Sequence, residues 1–246
     1  MSATTRHPGM RREEPSSTSE PLPPGQRLIE RFPRFGTHLG RPAPAIPTDP
    51  VITIDGGAVA SPFDLPVASL ATMPRTELTA HFHCVAGWSA ADLRWEGVAF
   101  ETFFRTIVEP ALVPGAEATH LVFEGLDGYR SVVLVEDALA DDVVLAERLD
   151  GRPLGADHGA PVRLVSPGQY GYVSTKHLCH IAVHSSEPPA PRGSLVDGRL
   201  LESHPRARVW EEERHGSLPS WLVRPLYRAI KGPLLYLCTR GEDIGR

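Results

Sequence analysis

Cysteine is scarce in this sequence: three in 246 residues, at positions 84, 179 and 238. They are too few and too scattered for a disulfide framework, which fits a reducing compartment. No Cys-x-x-Cys pair occurs, so iron–sulfur, ribbon-type zinc and covalent haem signatures are absent. The N-terminal stretch Met1 to Glu20 has arginines, serines and prolines but no apolar run of the kind that forms a signal-peptide core. No segment is apolar for long enough to span a bilayer, the nearest being the proline-broken Leu218 to Leu237. Charge of either sign is not in excess. The formal net charge is -5 and the pI about 6.1, which gives no bulk attraction to nucleic acid or to an anionic membrane. These absences together imply a soluble, cytoplasmic protein with no transmembrane segment and no nucleic-acid partner, in which any anion is bound by a local cluster.

The sequence does contain enough apolar residues for a buried core, 41% against 22% charged, so one main domain with tails is expected. Residues 1–26 are rich in Ser, Pro, Glu and Arg and nearly free of large apolar groups, and so read as a disordered N-terminal segment. The domain is placed at 27–187, and 188–246 reads as a linker and a C-terminal tail with a short amphipathic helix over Leu218 to Leu237. Recurrent prolines from Arg31 to Pro50 favour an extended arm over a helix. Strands are expected at Val51 to Ile54, Thr76 to Val85, His120 to Phe123, Ser131 to Val135, Val143 to Arg148, Val162 to Val165 and His177 to Val183. Phe100, Phe103, Phe104 and Ile107 recur at helical spacing, and Pro110 ends that helix. The fold class is therefore α+β, with mixed β-sheets and a few helices.

The stretch richest in chemistry is His83-Cys84-Val85-Ala86-Gly87-Trp88-Ser89, followed by Arg94-Trp95-Glu96-Gly97-Val98. Alternation puts Leu78, Ala80, Phe82 and Cys84 on one strand face and His81, His83 and Val85 on the other. A cysteine at a strand end, with a glycine behind it, offers a soft ligand and room for a large group. A lone cysteine is more often a small buried residue, and His81, His83, His177, Cys179 and His180 match no zinc-ligand spacing. Trp88 and Trp95 read equally as the walls of an apolar mouth and as core.

The Cys-Val-x-x-Trp-Ser string and the Trp-x-Gly-Val after it recur with a later block in a fixed order. That block is Gly151-Arg152-Pro153-Leu154, His158 to Val165, Pro167, Tyr170-Gly171 and Ser174-Thr175-Lys176. From about Phe32 to Ser186 the chain resembles the molybdopterin-binding domain of the sulfite oxidase superfamily, most of all the branch with the sulfoxide-reducing catalytic subunits and their cytoplasmic relatives. The resemblance implies the sulfite oxidase middle-domain fold and a molybdenum-molybdopterin cofactor with Cys84 as metal ligand and catalytic residue. It implies Arg163 and Lys176 as cations for the cofactor's terminal phosphate and Ser174 and Thr175 in a loop presenting backbone N–H groups to it. Arg34, in an arm laid over the pterin, is a further candidate contact. His158 stands where relatives of that branch carry a cofactor-binding asparagine, Gly125 where they carry a threonine, and His83 sits behind the ligand in a supporting position.

Sulfite oxidases follow the ligand cysteine with an Asn-Arg element whose arginine helps bind the anion; this chain has Trp88-Ser89 there. The resemblance thus implies oxygen-atom transfer on a small-molecule substrate of the sulfoxide or N-oxide type. The chain is too short for the sulfite oxidases' additional dimerisation domain, and with no haem pattern a separate electron-transfer partner is expected. Trp210, Trp221, Tyr227 and Tyr236, among Arg208, Arg224, Arg228 and Lys231, are candidate docking residues for it, the commoner alternative being a tail that packs on its own domain. The competing reading is a noncatalytic binding module that keeps the fold without the metal.

Overall fold

Two-residue periodicity in the apolar positions lays down most of this molecule as strands. The computed structural model describes residues 21–30, 32–34, 42–188 and 204–240. Among the described residues are eleven strands: β1 (Arg27–Ile29), β2 (Val51–Asp55), β3 (Phe63–Pro66), β4 (Thr76–His83), β5 (Trp88–Ala99), β6 (His120–Gly125), β7 (Arg130–Leu134), β8 (Val144–Leu149), β9 (Arg152–Pro153), β10 (Arg163–Val165) and β11 (Leu178–His184). Helices are few: α1 (Phe100–Phe103), α2 (Val135–Ala138) and α3 (Ser220–Arg240), with short 3-10 and π turns. The α+β class with mixed sheets is what the structure shows.

One sheet runs β3-β2-β11-β6-β7, with β2 and β11 parallel and the other pairs antiparallel. The other runs β1-β5-β8-β10, with β4 also on β5 and β9 on β8. Its long strand β5 was not expected as one element, because it carries a bulge. Ala80 pairs with Leu93 but Phe82 with Ala90, and Asp92 takes a φ of 55° at the extra residue. The bulge reverses the alternation, so Trp88 and Ala90 before it and Leu93 and Trp95 after it share one buried face. Gly97 is needed where β5 meets β8: a Cβ there would lie 1.9 Å from the Leu145 carbonyl oxygen.

The second sheet is buried on both sides. Val98, Leu145 and Leu164 face a core shared with Ile52, Ile54, Phe123, Ile181 and the phenylalanines of α1. Val144, Ala146 and Val165 face a smaller core containing Cys84, Trp88 and Trp95. The expected helix from Phe100 begins as α1, continues as a π turn at Phe104–Val108 and ends in a 3-10 turn holding Pro110.

Residues 1–20 of the expected N-terminal segment lie outside the described residues, while 21–26 lead through a turn into β1, which pairs in parallel with β5. Much of the arm Arg31 to Pro50 and the linker after Pro188 also lie outside them. The tail returns at 204: Ala207 and Val209 are fully buried, and their segment bonds to Tyr170 and Gly168. Arg208 fastens it further through ion pairs to Asp137 and Glu136. The amphipathic piece is realised as α3. Among the described residues no helix is long and apolar enough to cross a membrane.

Candidate functional site

β4 and β5 are joined by a tight turn, and Cys84 is its first residue. Cys84 N–H donates to the Trp88 carbonyl at 2.8 Å and Gly87 N–H to the Cys84 carbonyl at 2.9 Å. Gly87 supplies the positive φ of 90° that closes the turn. Donors from three distant segments hold it: Gly171 N–H on the His83 carbonyl (2.7 Å), Gln26 Nε2 on the Cys84 carbonyl (3.2 Å), Arg27 N–H on the Gly87 carbonyl (3.0 Å) and Arg214 Nη1 on the Val85 carbonyl (2.8 Å). Cys84 is buried, on the face shared with Phe82, as alternation along β4 requires.

His83 points to the other side and is buried there. Its Nδ1 lies 2.8 Å from the Ser89 hydroxyl, which donates to Gln26 Oε1 at 3.1 Å. The hydroxyl having spent its proton on Gln26, Nδ1–H is the donor to Ser89. Burial, with His81 nearby, pulls the His83 pKa down to about 4, so the ring is neutral near pH 7.

Beyond Phe82 lies a group of cations. Arg163, on β10, is buried and donates to the carbonyls of His158 (3.0 Å) and Ser174 (2.9 Å). Its guanidinium lies 5.2 Å from the centre of the Trp95 ring, 5.5 Å from Phe82 and 5.9 Å from Phe32. Burial pulls its pKa down to about 9. Lys176 falls to about 8 through burial, then through Arg163 and Arg34. His158 stacks on Phe32 at 4.9 Å, and burial followed by Arg163 lowers its pKa. Arg34 pairs with Asp157 at 3.4 Å. Gly159, at a φ of 105°, permits the close approach: a Cβ there would stand 3.0 Å from Lys176 Cβ and 3.1 Å from Arg163 Cβ.

The structure therefore gathers Arg34, His158, Arg163 and Lys176 around one aromatic group, with Cys84 in the same small core. Ser174 and Thr175, expected to present N–H groups to a phosphate, are bonded internally in this loop. Their N–H groups are donated within the loop, to the Gly171 and Val173 carbonyls, and the Thr175 hydroxyl lies 2.8 Å from that of Ser131. The loop instead offers Arg163 the Ser174 carbonyl. Gly125 lets the neighbouring loop close on this one, since a Cβ there would stand 2.2 Å from the Lys176 carbonyl oxygen. Trp88 and Trp95 are core residues, both essentially without exposure.

The other expected ligand candidates are used elsewhere. His177 Nδ1 contacts the Ala160 carbonyl at 2.6 Å, and His180 lies between Asp55 (2.7 Å) and Glu124 (3.5 Å). Among the described residues no three His, Cys, Asp or Glu side chains gather as for a metal ion. Cys84 offers one buried soft thiol, a donor type that suits a metal whose other sulfur ligands arrive with an organic cofactor. The surroundings fit such a cofactor too. The buried indole N–H groups of Trp88 and Trp95 have no hydrogen-bond partner among the described residues, and the cations suit a phosphate. Gln26 and Arg214 had no sequence signal as site residues, whereas alternation put Phe82 on the face of Cys84 and Phe32 opens the stretch that resembles the family.

Residues 40–191 match the family model described as the oxidoreductase molybdopterin binding domain. The chain is 25% identical over 229 residues to the catalytic subunit of protein-methionine-sulfoxide reductase from Pseudomonas syringae pv. tomato, covering 81% of this chain and 65% of that one. It is 31% identical over 219 residues to sulfite oxidase from Gallus gallus, covering 75% and 46%. The crystal structure of the sulfane dehydrogenase SoxCD from Paracoccus pantotrophus aligns with a TM-score of 0.53 and 23% identity, over 68% of this chain and 46% of that one, a likeness of fold. The chain spans 46% to 65% of the length of these proteins.

Proposed function

Because the chain belongs to the oxidoreductase molybdopterin-binding domain family, we propose that it is a molybdenum enzyme transferring an oxygen atom to or from a small neutral substrate. The substrate is of the sulfoxide or N-oxide class, and Cys84 is the protein's ligand to the metal. The observation that carries the substrate class is the fate of the two residues where sulfite oxidases place their anion-binding arginine. Trp88 is packed into the core, and the Ser89 hydroxyl is spent on His83 and Gln26. Neither side chain is itself a cation, so neither offers an entering dianion a charge in exchange for its hydration.

In this reading Arg163 and Lys176 hold the cofactor's terminal phosphate, and His158 and Arg34 contact its organic part. The bound cofactor supplies the two-electron couple and the carrier for the oxygen atom. The chain's own residues do the rest. The bonded turn fixes the Cys84 thiolate in one orientation, Phe82 and Trp95 cover the Arg163 guanidinium, and neutral His83 props the turn without adding charge. Electrons pass to or from a separate partner.

Metal-loaded protein is tested by metal analysis and by turnover with sulfite, sulfoxides and N-oxides using artificial electron carriers. One molybdenum per chain with sulfoxide or N-oxide reduction is expected. Efficient sulfite oxidation would overturn the substrate class, and zinc in place of molybdenum the whole reading.

A further inference from the structure

We infer that Arg214 and Glu212, which lie beyond the family-matched span, are positioning residues that clamp the turn carrying Cys84 and set the orientation of its thiolate. This rests on the reading of Cys84 as the metal ligand.

Both residues are buried, and their ion pair is short: Arg214 Nε donates to Glu212 Oε2 at 2.9 Å. Glu212 also accepts from the Tyr170 hydroxyl at 3.2 Å. The guanidinium lies between two rings, 4.8 Å from the centre of Tyr170 and 5.1 Å from Tyr227. Two rings fix its plane and the carboxylate fixes its rotation within that plane, so the direction of Nη1 is determined. Nη1 donates to the carbonyl of Val85 at 2.8 Å, the residue next to Cys84. A rigid fork is thereby aimed at the peptide beside the ligand.

An ion pair is a poor way to hold a buried segment in place. The desolvation of two charges offsets most of their attraction, and apolar side chains of similar volume hold such a segment as well or better. Ala207 and Val209, both fully buried, already anchor this one. What the pair adds is a directed donor for the Val85 carbonyl. The guanidinium is neutralised by Glu212, so its effect on Cys84 is one of geometry more than of field.

The test compares the full chain with Arg214→Met, Arg214→Lys and the double variant Glu212→Gln/Arg214→Met, which leaves no lone buried charge. In metal-free protein, alkylation by iodoacetamide is followed by mass spectrometry at Cys84, with Cys179 as an internal reference. Loss of a charge-assisted bond of about 1.5–3 kcal/mol should speed Cys84 alkylation about tenfold or more while leaving Cys179 unchanged. Lysine, which has no fork, should restore only part of the protection. In loaded protein the same variants should shift the electron paramagnetic resonance signal of the one-electron-reduced metal. Equal acceleration at both cysteines would mean a merely structural role and overturn the clamp, as would an unchanged Cys84 rate in the double variant. Faster Cys84 alkylation in a protein that never takes up molybdenum would instead uphold the clamp and sink the metal reading.

Discussion

Lys176→Met keeps the aliphatic stem that lies against Gly159 and removes only the ammonium group. In the metal-free protein that group is held near Arg163 and Arg34, and its pKa drops from 10.5 to about 8. At about 1.4 kcal/mol for each pH unit between the two values, the charged lysine costs the metal-free fold about 3 kcal/mol. Solvent reaching this partly open position reduces the cost to about 1–2 kcal/mol. Between pH 8 and 10.5 the unfolded chain retains a proton that the folded chain has released, so stability rises with pH across that window. Urea unfolding of metal-free protein at pH 7 should therefore find the methionine variant more stable than the parent by about 1–2 kcal/mol. The difference should shrink as pH rises from about 8 toward 10.5. The same variant should lose cofactor, because the cation that strains the empty fold is the one that pairs with the phosphate. A variant less stable than the parent at pH 7, or a difference that ignores pH, would refute the reasoning.

Three further outcomes are expected. Cys84→Ser should leave thermal unfolding within a few degrees of the parent while molybdenum, measured by metal analysis, falls to background. Arg163→Ala should leave the His158 and Ser174 carbonyls without their donor and weaken cofactor binding about tenfold or more, seen as partly empty but folded protein; full occupancy in Arg163→Ala/Lys176→Ala would show the phosphate to lie elsewhere. Gly97→Ala should force β5 and β8 apart and cost roughly 1–3 kcal/mol or more, read as a lowered midpoint in thermal denaturation, and an unchanged midpoint would show that the strands yield freely.

The strands that hold the first sheet together were legible because each keeps one alternation phase: Ile52 and Ile54, Leu121 and Phe123, and Ile181 and Val183 all point into one core. β5 was not, because the bulge at Asp92 switches its phase midway, and no local pattern distinguishes that from a loop. Cys84, Arg163 and Lys176 stood out through short, ordered motifs. Gln26 and Arg214 did not, since they reach the turn from 58 and 129 residues away, distances over which single-chain periodicity carries no information. The part of the tail from 204 packs on its own domain, the commoner of the two readings its composition allows, with Ala207 and Val209 fully buried. It is polar and rich in arginine, yet Glu212 and Arg214 satisfy each other and so can be buried beside Ala207 and Val209. Ser174 and Thr175 were found as a loop, but which way its N–H groups turn depends on the Gly171 and Val173 carbonyls, which the residue types do not specify.

The closeness of Gly125 to the Lys176 carbonyl bears on how this site diverged. A relative with threonine at this position has a hydroxyl to offer its cofactor. Here a Cβ would stand 2.2 Å from the Lys176 carbonyl oxygen, where Leu126 N–H also bonds to the His177 carbonyl at 2.9 Å. The two arrangements exclude each other, so exchange between them is not a single step. Threonine at 125 is barred until the 176–177 backbone withdraws, and that withdrawal carries Lys176 with it. Gly125 and the placement of Lys176 are thus coupled through this one backbone contact.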